Sequence, residues 1–232
     1  MAMHLDHYQL STRNIYETAY RLRQETGLGF YDGGFFPGNG VANKIFPLGE
    51  CTYIEIEGCV DAGKATVPGG AKGFVDRTAE GDCLSLYSMR VDTLDELKAI
   101  AKRLGAGISQ SPVTRVRPNG PPVQAYSAPY YGPPKPGGAP LPSAGMPNWY
   151  CHEDRLYMHP AGQPVFNWPG CVEPQGIAWL EVGGTEKELY DWLGVPAGTF
   201  PYRFFPDRPH GLYAIGVKTS GGEKVIRLPW RK

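Results

Sequence analysis

Apolar and polar positions along this chain fall three times into the same two-part rhythm, alternation followed by helical spacing. In "LDHYQLSTRNIYETAYRLRQETGLG", from residue 5, Tyr8 and Leu10 share one parity, and Ile15, Ala19 and Leu22 recur at the spacing of one helix face. In "LSLYSMRVDTLDELKAIAKRLGAG" the helix opens on Thr93 with Glu96 three residues on, a capping box. It runs through Leu94, Leu97, Ile100, Ala101 and Leu104, and it ends at Gly105. "IAWLEVGGTEKELYDWLGVPAG" repeats the plan. Two extended segments, "NKIFPLGE" and "CTYIEIEG", follow the first helix with no second helix between them. The pattern predicts an α+β fold of repeated β-α-β-β-β modules. One module covers 1–60, a second 80–160 and a third, partial strand-helix-strand unit 175–232, all in one compact domain.

Composition adds one feature to this picture. Much of the proline in a chain with 31 glycines and 23 prolines lies in 118–147, which reads as a long loop or crossover rather than a helix or central strand. Tyr126, Tyr130 and Tyr131 give this arm something to pack with, so it is expected to be ordered and to flank a cleft. Charge excludes some partners, because 23 basic and 23 acidic residues balance without a run of either sign. That is no footprint for nucleic acid or an anionic membrane, and it favours a small-molecule substrate. Five cysteines, Cys51, Cys59, Cys83, Cys151 and Cys171, are odd in number and form no C-x-x-C pair, which fits reduced thiols. No apolar run reaches the roughly 18 residues of a membrane span, and His4, Asp6 and His7 stand where a signal peptide needs apolar residues. The expectation is a soluble, cytoplasmic protein. Phosphate-loop, nucleophile-elbow, dinucleotide and H-E-x-x-H motifs are all missing from the sequence.

Parity locates the candidate chemistry. With Tyr8 and Leu10 turned to the helix, Leu5, His7, Gln9 and Ser11 face the other way. Ile54 and Ile56 likewise leave Tyr53, Glu55 and Glu57 on the helix-free face. This is either a solvated surface or half of a metal site, since imidazole plus carboxylate suits Fe, Mn, Ni or Zn. In "MPNWYCHEDR", Asn148, Tyr150, His152 and Asp154 share one face, and Trp149, Cys151 and Glu153 the other. His152 is then either a third ligand or a polar residue at a strand end, with Glu153 its substitute if the register slips by one. His159 and His210 read as turn or loop residues. A nucleophile pair of Cys151 with His159 or His210 is a minor alternative. Arg90 and Glu181 point to the helix-free side, positioned for a substrate oxygen or for proton transfer. Gln9, Trp149, Tyr150 and Trp179 supply polar and aromatic walls for a ring-bearing ligand, although such aromatics serve cores as readily.

The stretches "LDHYQL", "GGFFPGNGVANKIFPLGE", "YIEIEG" and "MRVDTLDELKAIAKRLG", with weaker matches at "HPAGQP" and from Ile177, resemble the glyoxalase-like proteins of the vicinal oxygen chelate superfamily. The resemblance implies paired modules whose cupped mixed sheets form around a small-molecule cleft, with metal ligands on the first and last strands of a module, here His7 and Glu55. Leu86 and Ile177 occupy the position of His7 in the later units, and Phe36 stands where a histidine is frequent, so His152 would have to complete the set. Two functions follow. One is a divalent-metal enzyme of lyase, isomerase or dioxygenase type, in which Glu55, Glu57 or Glu181 moves a proton. The other is a metal-free protein that sequesters an aromatic natural product. The resemblance leaves room for a homodimer.

Overall fold

Each helix read from the sequence begins at a side-chain cap. Strand β1 (Met3–Ser11) leads to α1 (Ile15–Thr26), where the Asn14 side chain accepts the backbone N–H groups of Tyr16 and Glu17. Strands β2 (Tyr31–Phe36), β3 (Val41–Gly49) and β4 (Thr52–Cys59) complete the first module. A short helix, α2 (Lys72–Arg77), follows, which the sequence pattern did not reveal. The second module is β5 (Cys83–Val91), α3 (Leu94–Arg103) with the Thr93–Glu96 capping box formed, β6 (Gly107–Val113), β7 (Val123–Tyr130) and β8 (Asn148–His152). The third unit is β9 (Pro174–Gly183), α4 (Glu186–Leu193), β10 (Tyr202–Phe205), β11 (Gly211–Thr219) and β12 (Lys224–Arg227). A second capping box, Thr185 with Glu188, opens α4. The computed structural model describes residues 2–67, 71–113, 123–130, 145–152 and 169–228.

The first two modules share a single eight-stranded sheet in the order β2-β3-β4-β1-β5-β8-β7-β6. In each, the first strand lies parallel to the last, β1 with β4 and β5 with β8, and the modules meet where β1 and β5 pair antiparallel. The third unit departs from this plan. Its sheet runs β10-β9-β11-β12, so its first strand pairs with its second and third, and it is a four-stranded unit rather than a partial copy. Nor is the whole of 118–147 a loop, because residues 123–130 form β7, inside the sheet between β6 and β8. The prolines that argued against a strand cluster outside this segment, and Pro129 sits near its end. Tyr126 packs against the main core instead of a cleft, Tyr130 is exposed, and Tyr131 lies outside the described residues.

The third unit packs on the helix side of the large sheet. One continuous core joins Tyr8, Leu10, Ile15, Leu22, Ile54, Ile56, Tyr87, Met89 and Trp149 to Leu180, Val182, Leu193, Ile215 and Val217. Tyr87 meets Tyr202 edge-on at 6.4 Å, and Trp149 meets Trp192 at 5.9 Å. Arg103 at the end of α3 donates to the carbonyls of Asp191, Trp192 and Leu193, the orphan acceptors at the end of α4. Helices and third unit are thus on one side, and the other face of the large sheet keeps its polar row. No helix among the described residues is long and apolar enough to cross a membrane.

Candidate functional site

The helix-free face of the large sheet carries one band of polar and aromatic side chains. Its geometry starts from an irregularity in β1. Leu5 pairs with Met89 and Tyr8 with Tyr87, so Asp6 and His7 together oppose the single residue Ser88, a β-bulge. The extra residue reverses parity. Before it Met3 and Leu5 pack against the core with Tyr8 and Leu10, which corrects the placement of Leu5 beside His7. Asp6 thereby comes onto the same side as His7, a neighbour that simple alternation assigns to the opposite face.

Asp6 is the centre of a buried polar cluster. His7 Nδ1 lies 2.9 Å from its Oδ2, His152 Nε2 lies 3.4 Å from the same oxygen, and Arg90 Nη1 donates to Oδ1 at 3.2 Å. Arg90 also donates to the carbonyl of Cys51 at 3.1 Å. Burial alone would raise the Asp6 carboxyl, but hydrogen bonds from His152 and then His7, reinforced by their charges, outweigh it and hold the group well below the usual carboxylate range. An ionised Asp6 only accepts, so both imidazole nitrogens that face it carry hydrogen. His7 Nε2 is 3.3 Å from Ser88 Oγ, whose own proton goes to Asn148 Oδ1 at 2.6 Å. Tyr53 stacks on the His7 ring at 5.1 Å, and Tyr150 meets its edge at 4.9 Å.

Beside this cluster, β4 presents Glu55 and Glu57. The carboxamide of Asn43 on β3 donates to Glu55 Oε1, and that of Gln9 donates to Glu57 Oε2. Ser85 donates to Gln9 Oε1 at 2.9 Å and shares a 2.8 Å contact with Ser11. Both carboxylates are therefore held as acceptors. Burial first, then the charges of Glu55 and Glu57, raise the Tyr150 phenol above its ordinary value, so it is a neutral O–H donor close to two carboxylates.

His7, Gln9, Glu55, Glu57, Arg90, Tyr150 and His152 are thus brought to one face. The remaining candidates are elsewhere. Trp149 is fully buried in the core, donating to Met3 Sδ at 3.4 Å, because its parity on β8 is opposite to that of His152. Glu181 and Trp179 belong to the separate four-stranded sheet, on the face away from Leu180 and Val182. There Arg227 donates to Glu181 at 2.5 Å, and Arg203 lies 4.0 Å over the Trp179 ring. Cys151 is buried in the core, and His210 sits 3.9 Å from Glu188. Glu153, Asp154 and His159 lie outside the described residues. The residues missed from the sequence are Asp6, Asn43 and Ser88. A bulge hid the first, and the other two are visible only once β3 and β5 are in register with their neighbours.

The metal ligands implied by the resemblance, His7, Glu55 and His152, do not fit an ion as they are arranged. Both nitrogens of His7 are turned to Asp6 and Ser88, His152 Nε2 is turned to Asp6, and Glu55 holds the Asn43 amide. Among the described residues no group of three His, Cys, Asp or Glu side chains is placed to hold a metal.

The glyoxalase-like domain family model matches residues 5–189. The chain belongs to this glyoxalase-like domain family. No curated protein matches it. Among solved structures, a hypothetical protein from Staphylococcus aureus has 12% identity over 97% of this chain and 86% of its own, with a TM-score of 0.57. Hypothetical protein BH1468 from Bacillus halodurans C-125 is 14% identical over 66% of this chain and 96% of its own, at 0.46. Methylmalonyl-CoA epimerase from Mycobacterium tuberculosis is 14% identical over 64% and 86%, at 0.43. At these identities the likeness concerns the fold alone.

Proposed function

We propose that this glyoxalase-like protein is an enzyme that moves a proton on a small organic substrate, at a carbon next to a carbonyl, in isomerase or lyase chemistry. The reading rests on one juxtaposition. Glu55 and Glu57 are fixed as acceptors by Asn43 and Gln9, while Tyr150 beside them keeps its proton. Glu55, the more accessible carboxylate, takes the proton from carbon. The Tyr150 O–H donates to the oxygen on which negative charge develops, and Asn148 holds the phenol. Arg90 and His7 are committed to Asp6 and act by keeping that part of the wall rigid. The divalent-metal chemistry implied by the resemblance, with Fe, Mn, Ni or Zn, would require His7 and His152 to leave their present partners, so the proposed steps run through the carboxylate and the phenol alone.

The test is hydrogen exchange into substrate. A set of 2-keto acids, 3-keto acids and α-hydroxy ketones is incubated with the protein in D2O, and loss of the α-proton signal is followed by NMR. Exchange of at least one class, reduced at least a hundredfold in Glu55→Gln and at least tenfold in Tyr150→Phe, is the expected result. Saturable binding with no exchange of any compound would instead favour the metal-free binding protein. Exchange undiminished in Glu55→Gln would remove that residue from its role.

A further inference from the structure

A pocket of about 320 Å³ lies where the row of site residues on β4 comes to an end, lined by Thr12, Arg13, Cys59, Val75, Thr78 and Ala79. Cys59 continues the alternation Tyr53, Glu55, Glu57, and Thr12 and Arg13 directly follow β1. The far wall comes from α2 and the residues just after it. This volume falls at the lower end of the ~300–1,000 Å³ usual for small-molecule sites. Most of the polar atoms in the wall are already used inside the protein. Thr12 Oγ1 contacts Thr18 Oγ1 at 2.8 Å, Thr78 Oγ1 donates to the Phe74 carbonyl at 2.8 Å, and Cys59 Sγ is 3.3 Å from the Asp61 carbonyl. The lining surface is mainly apolar. Arg13 is the exception. Its Nε donates to the Thr78 carbonyl at 2.7 Å and its Nη2 to that of Ala79, which fixes the guanidinium at the rim and leaves Nη1 outside both bonds.

A neutral pocket with one fixed cation at its edge selects a ligand with an apolar body and a single negative charge. We propose that this pocket is the binding subsite for a small monocarboxylate, aliphatic or aryl, whose carboxylate meets Arg13 while its carbon body lies against Val75, Ala79 and Cys59. A planar carboxylate matches the guanidinium fork, whereas a phosphate dianion would need a second cation that the lining does not provide. The inference rests on the proposed function for what the ligand is: a substrate, or part of one, whose reacting carbon lies toward Glu57 and Glu55 on the same strand.

Hexanoate and phenylacetate serve as probes, with hexanol as the uncharged control, and binding to the full chain is followed by calorimetry. Saturable binding of at least one carboxylate is expected, lost in Val75→Trp, which fills the pocket, and weakened about tenfold in Arg13→Gln, with hexanol indifferent to the second change. Because Arg13 also ties α2 in place, a second measurement uses the unmodified protein. Saturating hexanoate should slow alkylation of Cys59 by iodoacetamide at least threefold while leaving Cys51 unchanged. No saturable carboxylate binding, or binding untouched by both substitutions with Cys59 unprotected, would overturn the proposal. Glu55→Gln separates the two readings, since it should abolish deuterium exchange yet keep hexanoate binding. Exchange that survives without carboxylate binding refutes the subsite and leaves the proposed function standing.

Discussion

Asp6 and Tyr8, two residues apart on β1, show how differently burial acts on a paired and an unpaired polar group. Asp6 is 2% exposed and holds two histidines and an arginine. Replacing it by Asn leaves the buried Arg90 without its counter-charge and breaks the contacts with His7 and His152, and should cost about 3 kcal/mol. Its folded carboxyl is held below the ordinary value, so its contribution is complete above about pH 5 and shrinks as the pH falls below ~3.9 toward the depressed folded value. The gap between the urea midpoints of the parent and Asp6→Asn proteins should therefore be constant above pH 5 and narrow, without closing, as the pH falls from 5 to 3; a gap that stays constant throughout would show that the charge of Asp6 is not what stabilises. Tyr8 is fully buried, and its hydroxyl has no hydrogen-bond partner among the described residues. Tyr8→Phe removes an unsatisfied group, so the melting temperature should stay level or rise, by the equivalent of up to about 1 kcal/mol. A fall of several degrees would mean that the hydroxyl is satisfied in solution. Tyr8 was legible as a core residue from alternation alone, as were the outward positions of His7, Glu55 and Glu57. Asp6 was not, because alternation assumes an unbroken ladder and one inserted residue reverses it.

Among the elements, irregular pairing again decides what reaches the site. β2 holds one residue more than β3 between Asp32 and Gly34, and that residue is Gly33. A β-carbon at Gly33 would come within 2.2 Å of Asn43 Oδ1 and 2.7 Å of Ile45 Cγ1, so the glycine makes the room in which the Asn43 carboxamide lies. Gly33→Ala should then cost about 1–3 kcal/mol by overpacking and turn Asn43 away from Glu55. The check pairs thermal denaturation with the exchange assay. A folded variant with unchanged exchange would show that Glu55 does not depend on Asn43. Helix positions were the most legible part of the fold, because caps and spacing are local in sequence: Thr93 with Glu96 formed as read. Strand β7 was the least legible, since its place depends on β6 and β8, which are set by long-range pairing.

At the level of the whole molecule, the third unit decides which side of the large sheet is free to do chemistry. It covers the helix side, where Tyr87, Met89 and Trp149 meet Tyr202 and Trp192, and Arg103 ties the end of α3 to the end of α4. The sequence suggested a further repeat of one module, and the repeat is real for strand, cap and helix. Strand order differs because β10 returns beside β9 instead of passing over to the far edge. The family match runs to residue 189, inside α4, so beyond the two modules it takes in only β9 and the first half of α4 from this covering unit. A chain shortened to residues 1–168 would expose those aromatic side chains to water and forfeit roughly 1.5–3 kcal/mol for each large apolar side chain uncovered, in a balance of only ~5–15 kcal/mol. It should lose its cooperative urea transition and bind a hydrophobic dye. A shortened chain that unfolds cooperatively and takes up hexanoate as the full chain does would show instead that the two modules fold by themselves and that the third unit is an addition to a complete site.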